Sequence, residues 1–204
     1  MKRSIYYSGG VLVVAAVFVA GLALAQDKKT APAAASQSPD AAKQMEQAIA
    51  PGAAHKALEP FIGEWNAEVK AWMAPGEAPS VSKGTAKATW ILDGRYVQEE
   101  FTGDFMGQPF RGMSLTGYDN VRGKYRSVWV DNMSTTIVTS EGDLDATGKT
   151  LTFNGEYACA MTGDKHKKST LISRIVSKDK HIFEMHDPTL GANSKVMEIT
   201  YTRK

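Results

Sequence analysis

From Gly63 onward the chain is a succession of short runs rich in Val, Ile, Thr, Tyr, Phe and Trp, separated by Gly, Asp, Asn and Pro. Ten such runs are readable: Glu64–Met73, Ser82–Ile91, Tyr96–Phe105, Phe110–Tyr118, Tyr125–Asn132, Thr135–Asp143, Thr150–Tyr157, Lys167–Ser177, His181–Asp187 and Ser194–Arg203. The punctuation between them is brief, as in Asp93-Gly94, Met106-Gly107-Gln108-Pro109, Asp119-Asn120 with Gly123, and Asp145-Ala146-Thr147-Gly148. A parallel crossover takes about a dozen residues or more, so consecutive runs must pair antiparallel. The pattern predicts an all-β fold, an antiparallel up-and-down barrel of about ten strands, because closing the sheet removes the unpaired edges that invite aggregation.

Alternation within the runs says what such a barrel holds. Tyr125, Ser127, Trp129, Asp131 and Met133 share one face of their run, and Met197, Ile199 and Tyr201 share one face of the last. Neither face of these runs is wholly polar. Mixed inner faces suit an interior that holds water or one small ligand.

What precedes the barrel reads differently. Lys2 and Arg3, an apolar stretch from Val11 to Leu24, and Ala23-Leu24-Ala25 form the three-part secretory pattern. Residues 1–25 are therefore expected to be a signal peptide cut after Ala25, which places the mature protein in the periplasm or outside the cell. The apolar stretch is shorter than the roughly 18–20 residues of a spanning helix, so no stable membrane span is expected after cleavage. Residues 26–52 read as a disordered spacer, rich in Ala, Pro, Ser and Lys, with a short helix in AAKQMEQAIA after Ser38-Pro39-Asp40. A helical turn from His55 to Phe61 then leads into the barrel domain, residues 53–204. Losing the leader takes the 24 basic residues to 22, equal to the 22 acidic ones. A chain of zero formal charge lacks the basic footprint of a nucleic-acid partner. Cys159 is the one cysteine; it excludes an internal disulfide and is expected to be buried.

Gly63-Glu64-Trp65 opens the first run and Tyr201-Thr202-Arg203 closes the last. First and last strands are neighbours in an up-and-down barrel, so Arg203 is placed to lie over Trp65, a cation–π contact of about 0.5–2 kcal/mol. This resembles the closing arrangement of lipocalins and fatty-acid-binding proteins. The wider pattern includes His55-Lys56-x-Leu58, Trp90-x-Leu92-x-Gly94-Arg95-Tyr96, Gly103-x-x-Met106-Gly107-x-Pro109-Phe110-x-Gly112, Gly117-Tyr118-Asp119-Asn120, Trp129-x-Asp131-x-Met133-Ser134-Thr135 and Met197-Glu198-Ile199-x-Tyr201-Thr202-Arg203. It resembles the bacterial family called domain of unknown function 1579 over about residues 53–204. That resemblance implies a lipocalin-like, calycin-type barrel and no established reaction. His186 departs from it, standing where an aromatic residue is expected.

Residues able to carry chemistry are few. No pair among His55, His166, His181 and His186 has metal-ligand spacing, so no metal is expected. No cofactor is predicted; haem held by His186, as in the similar-looking nitrobindins, is the one alternative. Neither a nucleophile elbow nor a phosphate-binding glycine loop is present, and the catalytic residues are unknown. Charges on otherwise apolar strand faces remain: Asp131 beside Trp129, Glu184 and His186 beside Ile182, Arg174 beside Ile172 and Val176, and one of Glu99 and Glu100. Inside a barrel such a charge needs a partner, and Arg95 or Arg174 is available to Asp131 or Glu184. The candidate ligand-binding set is Trp90, Arg95, Trp129, Asp131, Arg174 and Glu184, with Trp65 and Arg203 closing the barrel. The reading is an exported binding module for a small, largely apolar ligand. Two alternatives are an exported enzyme using carboxylate acid–base chemistry and a structural or partner-binding envelope protein.

Overall fold

The computed structural model describes residues 38–74, 76–159 and 162–204. The expected signal peptide and residues 26–37 of the expected spacer lie outside the described residues. Ten strands form one closed antiparallel barrel: β1 Gly63–Ala71, β2 Ser80–Ile91, β3 Tyr96–Phe105, β4 Gln108–Asp119, β5 Lys124–Asp131, β6 Val138–Leu144, β7 Thr150–Tyr157, β8 Lys167–Ser177, β9 Lys180–His186 and β10 Lys195–Arg203. Each strand pairs with the next and β10 returns to β1, as the run of short connections requires. The largest departure from the expected bounds is in the sixth strand, which starts at Val138 rather than Thr135; the other bounds agree to within two residues. The Asp131 carboxylate accepts hydrogen bonds from the amides of Met133 and Ser134 (2.9 and 3.0 Å), which holds the following residues as a loop. Cys159 is half-buried, not buried, because it falls in the β7–β8 connection rather than on a strand.

Two helices precede the barrel. Helix α1, Pro39–Ile49, is capped by Ser38, whose hydroxyl accepts from the Ala41 amide at 3.2 Å, with Pro39 and Asp40 in the first turn. Its C-terminal carbonyls are gathered by Asn120 in the β4–β5 turn, whose side-chain amide donates to Gln47, Ala48 and Ala50. Helix α2, Ala53–Lys56, and a 3₁₀ turn, Glu59–Phe61, plug one end of the barrel. Leu58 and His55 are buried there, 2% and 4% exposed. Tyr125 donates its hydroxyl to the Ala54 carbonyl at 2.9 Å, and His55 meets the edge of Tyr118.

The seam between β1 and β10 ties plug and barrel together. Trp65 pairs with Arg203 in register, and the Arg203 guanidinium lies 4.1 Å from the centre of the Trp65 ring. Trp65, 1% exposed, donates its indole N–H to the Phe61 carbonyl at 2.9 Å. Arg203 donates to the Ile62 carbonyl at 3.0 Å and twice to the Lys178 carbonyl across the β8–β9 turn. Gly63 makes room for this. Its φ is +135°, and a Cβ there would collide with the guanidinium, so the glycine of the opening Gly-x-Trp is a steric requirement of the arginine.

Removing Arg203 strands two carbonyls and uncovers Trp65. Arg203→Ala is expected to destabilise the fold by about 2–4 kcal/mol, the sum of one cation–π contact and lost charged hydrogen bonds. Gly63→Ala is expected to cost much less in the Arg203→Ala background than alone, because the steric part of its cost vanishes with the guanidinium. A double-mutant cycle by urea unfolding measures both; simple additivity would show that Gly63 and Arg203 are independent.

Candidate functional site

Inward and outward faces follow from the register. Trp65, Ala86, Phe101, Gly112 and Asp131 line up across β1 to β5 on the inner face, and Tyr201, His181 and Phe183 belong to the same face of β9 and β10. Barrel diameter grows with strand number, and about eight strands is the size that side chains just fill. Ten strands give a wider barrel than that. Two buried clusters occupy part of it, one around Leu58, Val97, Tyr125 and Phe153 at the plug, the other around Trp65, Phe101, Ile199 and Tyr201. The inward Ser114, Thr116, Ser127, Trp129 and Phe183 keep part of their accessible surface.

Glu99 is the carboxylate of this interior. It sits on β3 opposite Ala88 of β2 and Ser114 of β4, two residues from Phe101. The barrel surrounds it on every side, yet it retains accessible surface of its own. It is thus an inward-facing, half-buried acid of the barrel wall. Its partner is the Tyr201 hydroxyl, which donates to Oε1 over a long 3.5 Å. Burial pushes the Glu99 carboxyl up to about 7, against a smaller downward pull from that hydrogen bond. Tyr201 is raised well above its ordinary value, first by burial and then by Glu99. Tyr201 stacks on His181, with ring centres 4.3 Å apart, and His181 meets Trp65 edge-on at 4.4 Å. Burial, then the Arg203 charge, lowers His181 to about 3, so it is neutral in this stack.

The end away from the plug is the mouth. Phe110 stacks on Trp129, with centres 6.2 Å apart, and meets Phe101 edge-on at 5.9 Å. The Trp129 indole donates to Asp131 Oδ2 at 3.0 Å, and its ring lies over Gly112, where a Cβ would collide with it. The five connections at this end carry four ionic residues, Glu77, Asp164, Lys165 and Asp187, whereas the shorter connections at the plugged end carry seven. Met73, Met106, Met133, Ile137 and Leu190 stand exposed around the mouth; at the plugged end the corresponding turns expose Leu92 and Val121.

The residues expected from the sequence separate into three places. Trp90, Trp129 and Asp131 are on the inner face. Trp90 is turned to the plug, where its indole donates to Glu59 Oε2 at 2.8 Å. Arg95 lies in the β2–β3 turn, half-buried, 3.8 Å from Asp93. Arg174 and Glu184 do pair, at 3.5 Å, but on the outer wall. Glu184 and Glu198 there share Lys195, and although burial alone would raise it, Lys195 and Arg174 hold the Glu184 carboxyl below its usual range. His186 is also outside. Its Nδ1 is 3.0 Å from Ser194 Oγ, and its buried Nε2 is 3.8 Å from Glu184. Neither ring nitrogen is open to an iron and the neighbours are polar, so these residues do not fit a haem. No cluster of three or more His, Cys, Asp or Glu suited to a metal occurs among the described residues. A recess of about 780 Å³ over Asn66, Glu68, Thr85, Thr102, Thr200 and Thr202 is an open groove on the outside of the wall and touches none of the expected residues. Glu99 and Tyr201 were within reach of the sequence only as one of two adjacent glutamates and one of several aromatics.

Glu99 sets a pH dependence. Its carboxyl ionises near 4.5 in the unfolded chain and near 7 in the fold, so between those values the fold holds the extra proton and stability falls as pH rises. Glu99→Gln removes that loss. The stability of the variant relative to the wild type is expected to grow by about 3 kcal/mol from below pH 4.5 to above pH 7, followed by urea unfolding across the range. A constant difference would show that Glu99 is solvated.

A family model described as "Protein of unknown function (DUF1579)" matches residues 50–203. The chain is similar in structure to Rv2717c from M. tuberculosis, with a TM-score of 0.58 and 14% identity, covering 76% of this chain and 99% of that one. A redesigned β-barrel matches at a TM-score of 0.39 and 12% identity, over 74% of this chain and 95% of the other. No curated protein matches the chain. At these identities the structural likeness concerns the fold.

Proposed function

The chain belongs to the DUF1579 family, and within that family's barrel we propose that it binds a small, largely apolar molecule in the barrel interior. One observation carries this reading: inward side chains from Trp129 and Phe183 down to Glu99 keep accessible surface inside a closed wall. Accessible inward surface behind a mouth of aromatic and methionine side chains is the form of a site for an apolar guest. The rim supports it: its five connections carry four ionic residues against seven at the plugged end, so an apolar molecule crossing it meets fewer charges. The leader pattern of residues 1–25 supports a place of work in the periplasm or beyond the cell. No helix among the described residues is long and apolar enough to cross a membrane.

Ser114 is inward-facing, half-buried and set between Glu99 and Trp129 across neighbouring strands. Ser114→Trp is expected to fill the space, weakening a neutral apolar dye such as N-phenyl-1-naphthylamine by roughly tenfold or more, at an overpacking cost of about 1–3 kcal/mol. Dye fluorescence titrations with both proteins test this; undiminished binding to a folded variant would remove the interior as the site. The export reading has its own measurement. The protein taken from its native envelope fraction is expected to begin at Gln26, as read by intact mass.

A further inference from the structure

Resting on that reading, the structure assigns a chemical class to the guest: we infer that the barrel takes an amphiphile with a basic nitrogen, its protonated amine seated against Glu99 and its hydrocarbon tail directed to the mouth.

The inference starts from an imbalance. Glu99 is enclosed by the wall, and none of the ion pairs among the described residues includes it. The two cations on the inner strand faces, among the described residues, are engaged elsewhere. Arg203 lies over Trp65 at the plug and is held by the Ile62 and Lys178 carbonyls. Lys167 is at the mouth, 3.0 Å from Asp187. An enclosed carboxylate without a cation is costly and holds its proton. Nothing in the packing requires an acid there: its strand partners are Ala88 and Ser114, and Tyr201 touches it over a long bond. The group is therefore complementary to something that is not part of the chain.

The surroundings select among guests. Phe101 is two residues along the same strand face, and Phe110 and Trp129 continue the aromatic wall toward the mouth. Aromatic faces attract cations, and a carboxylate backed by aromatic rings is the usual composition of an ammonium site. A fatty acid would bring a second carboxylate against Glu99 and require a shared proton. A neutral alcohol would accept or donate one hydrogen bond and gain nothing from ionisation. Bound ammonium stabilises the Glu99 carboxylate, so binding releases the proton that the empty site holds below neutrality. The other titratable groups facing this region are Tyr201 of β10, His181 of β9 stacked behind it, and Asp131 of β5 at the mouth; β2 and β4 present Ala88 and Ser114. Tyr201 and His181 stay neutral from weakly acidic to weakly basic conditions, which leaves Glu99 as the group that changes charge deep in the barrel.

The test uses dodecylamine, dodecanol and dodecanoic acid, below their aggregation concentrations, with the full chain as wild type and as Glu99→Gln, read by tryptophan fluorescence and native mass spectrometry. At about pH 8, where Glu99 is ionised, the wild type is expected to bind dodecylammonium roughly tenfold or more tighter than dodecanol, with dodecanoate weakest. The preference is expected to shrink toward pH 5, while dodecanol binding stays level. Glu99→Gln is expected to abolish the preference and the pH dependence and to keep dodecanol binding, which also shows that the variant is folded. Equal or tighter binding of dodecanol or dodecanoate by the wild type, or an amine preference that survives in Glu99→Gln, overturns the inference and leaves the binding reading standing. Failure of all three amphiphiles to bind overturns both.

Discussion

The Arg203 guanidinium over the Trp65 ring is the contact on which the rest of the architecture depends. It sits where three parts of the chain converge: the first strand, the last strand and the turn that plugs one end. A barrel has no edges only if its first and last strands pair, and each residue of that pairing joins parts of the chain far apart in sequence. A planar cation with several donors is suited to this place, because it covers an aromatic face and serves carbonyls from two other segments at once. A lysine would carry the charge without the fork.

The interior shows a second kind of constraint. Apolar side chains fill the plugged end and the wall around Trp65, as the hydrophobic effect demands. Beside these clusters the inner face of β4 and β5 carries small hydroxyl residues, with Thr116 and Ser127 bonded to each other at 2.9 Å. These satisfy themselves without filling the volume. Glu99 stands at the boundary between the two regions, where a carboxyl opposes folding above its unfolded ionisation range. Stability alone gives no reason for an acid at that point, and a glutamine of the same shape would remove the cost.

Much of the fold is legible in the order of residues. Short β-prone runs with short connections allow antiparallel neighbours only, and Gly63-x-Trp65 with Arg203 marks the seam. The site is less so, for reasons that individual residues make clear. Arg174 and Glu184 are partners in space, as their shared faces imply, but both strands mix polar and apolar residues on each face. Which face is inner is settled only by registration against β7 and β10. Glu99 and Glu100 differ by the same parity: pairing Glu99 with Ala88 and Ser114 turns it inward, and a slip of one residue would exchange them. Trp90 is inward as its spacing allows, yet its indole N–H is committed to Glu59 of the plug, a contact between segments whose adjacency no local pattern announces.

The mouth is rich in thioethers. Met73, Met106 and Met133 are each about half exposed or more, and Met185 and Met197 line the wall just behind them. Thioethers are the side chains most readily converted to sulfoxides, and exposure governs which react first. Each conversion replaces a soft apolar group with a polar, chiral one. Oxidation there would turn a soft apolar rim polar, while the distant Trp65–Arg203 seam, which carries no thioether, would be left as it is.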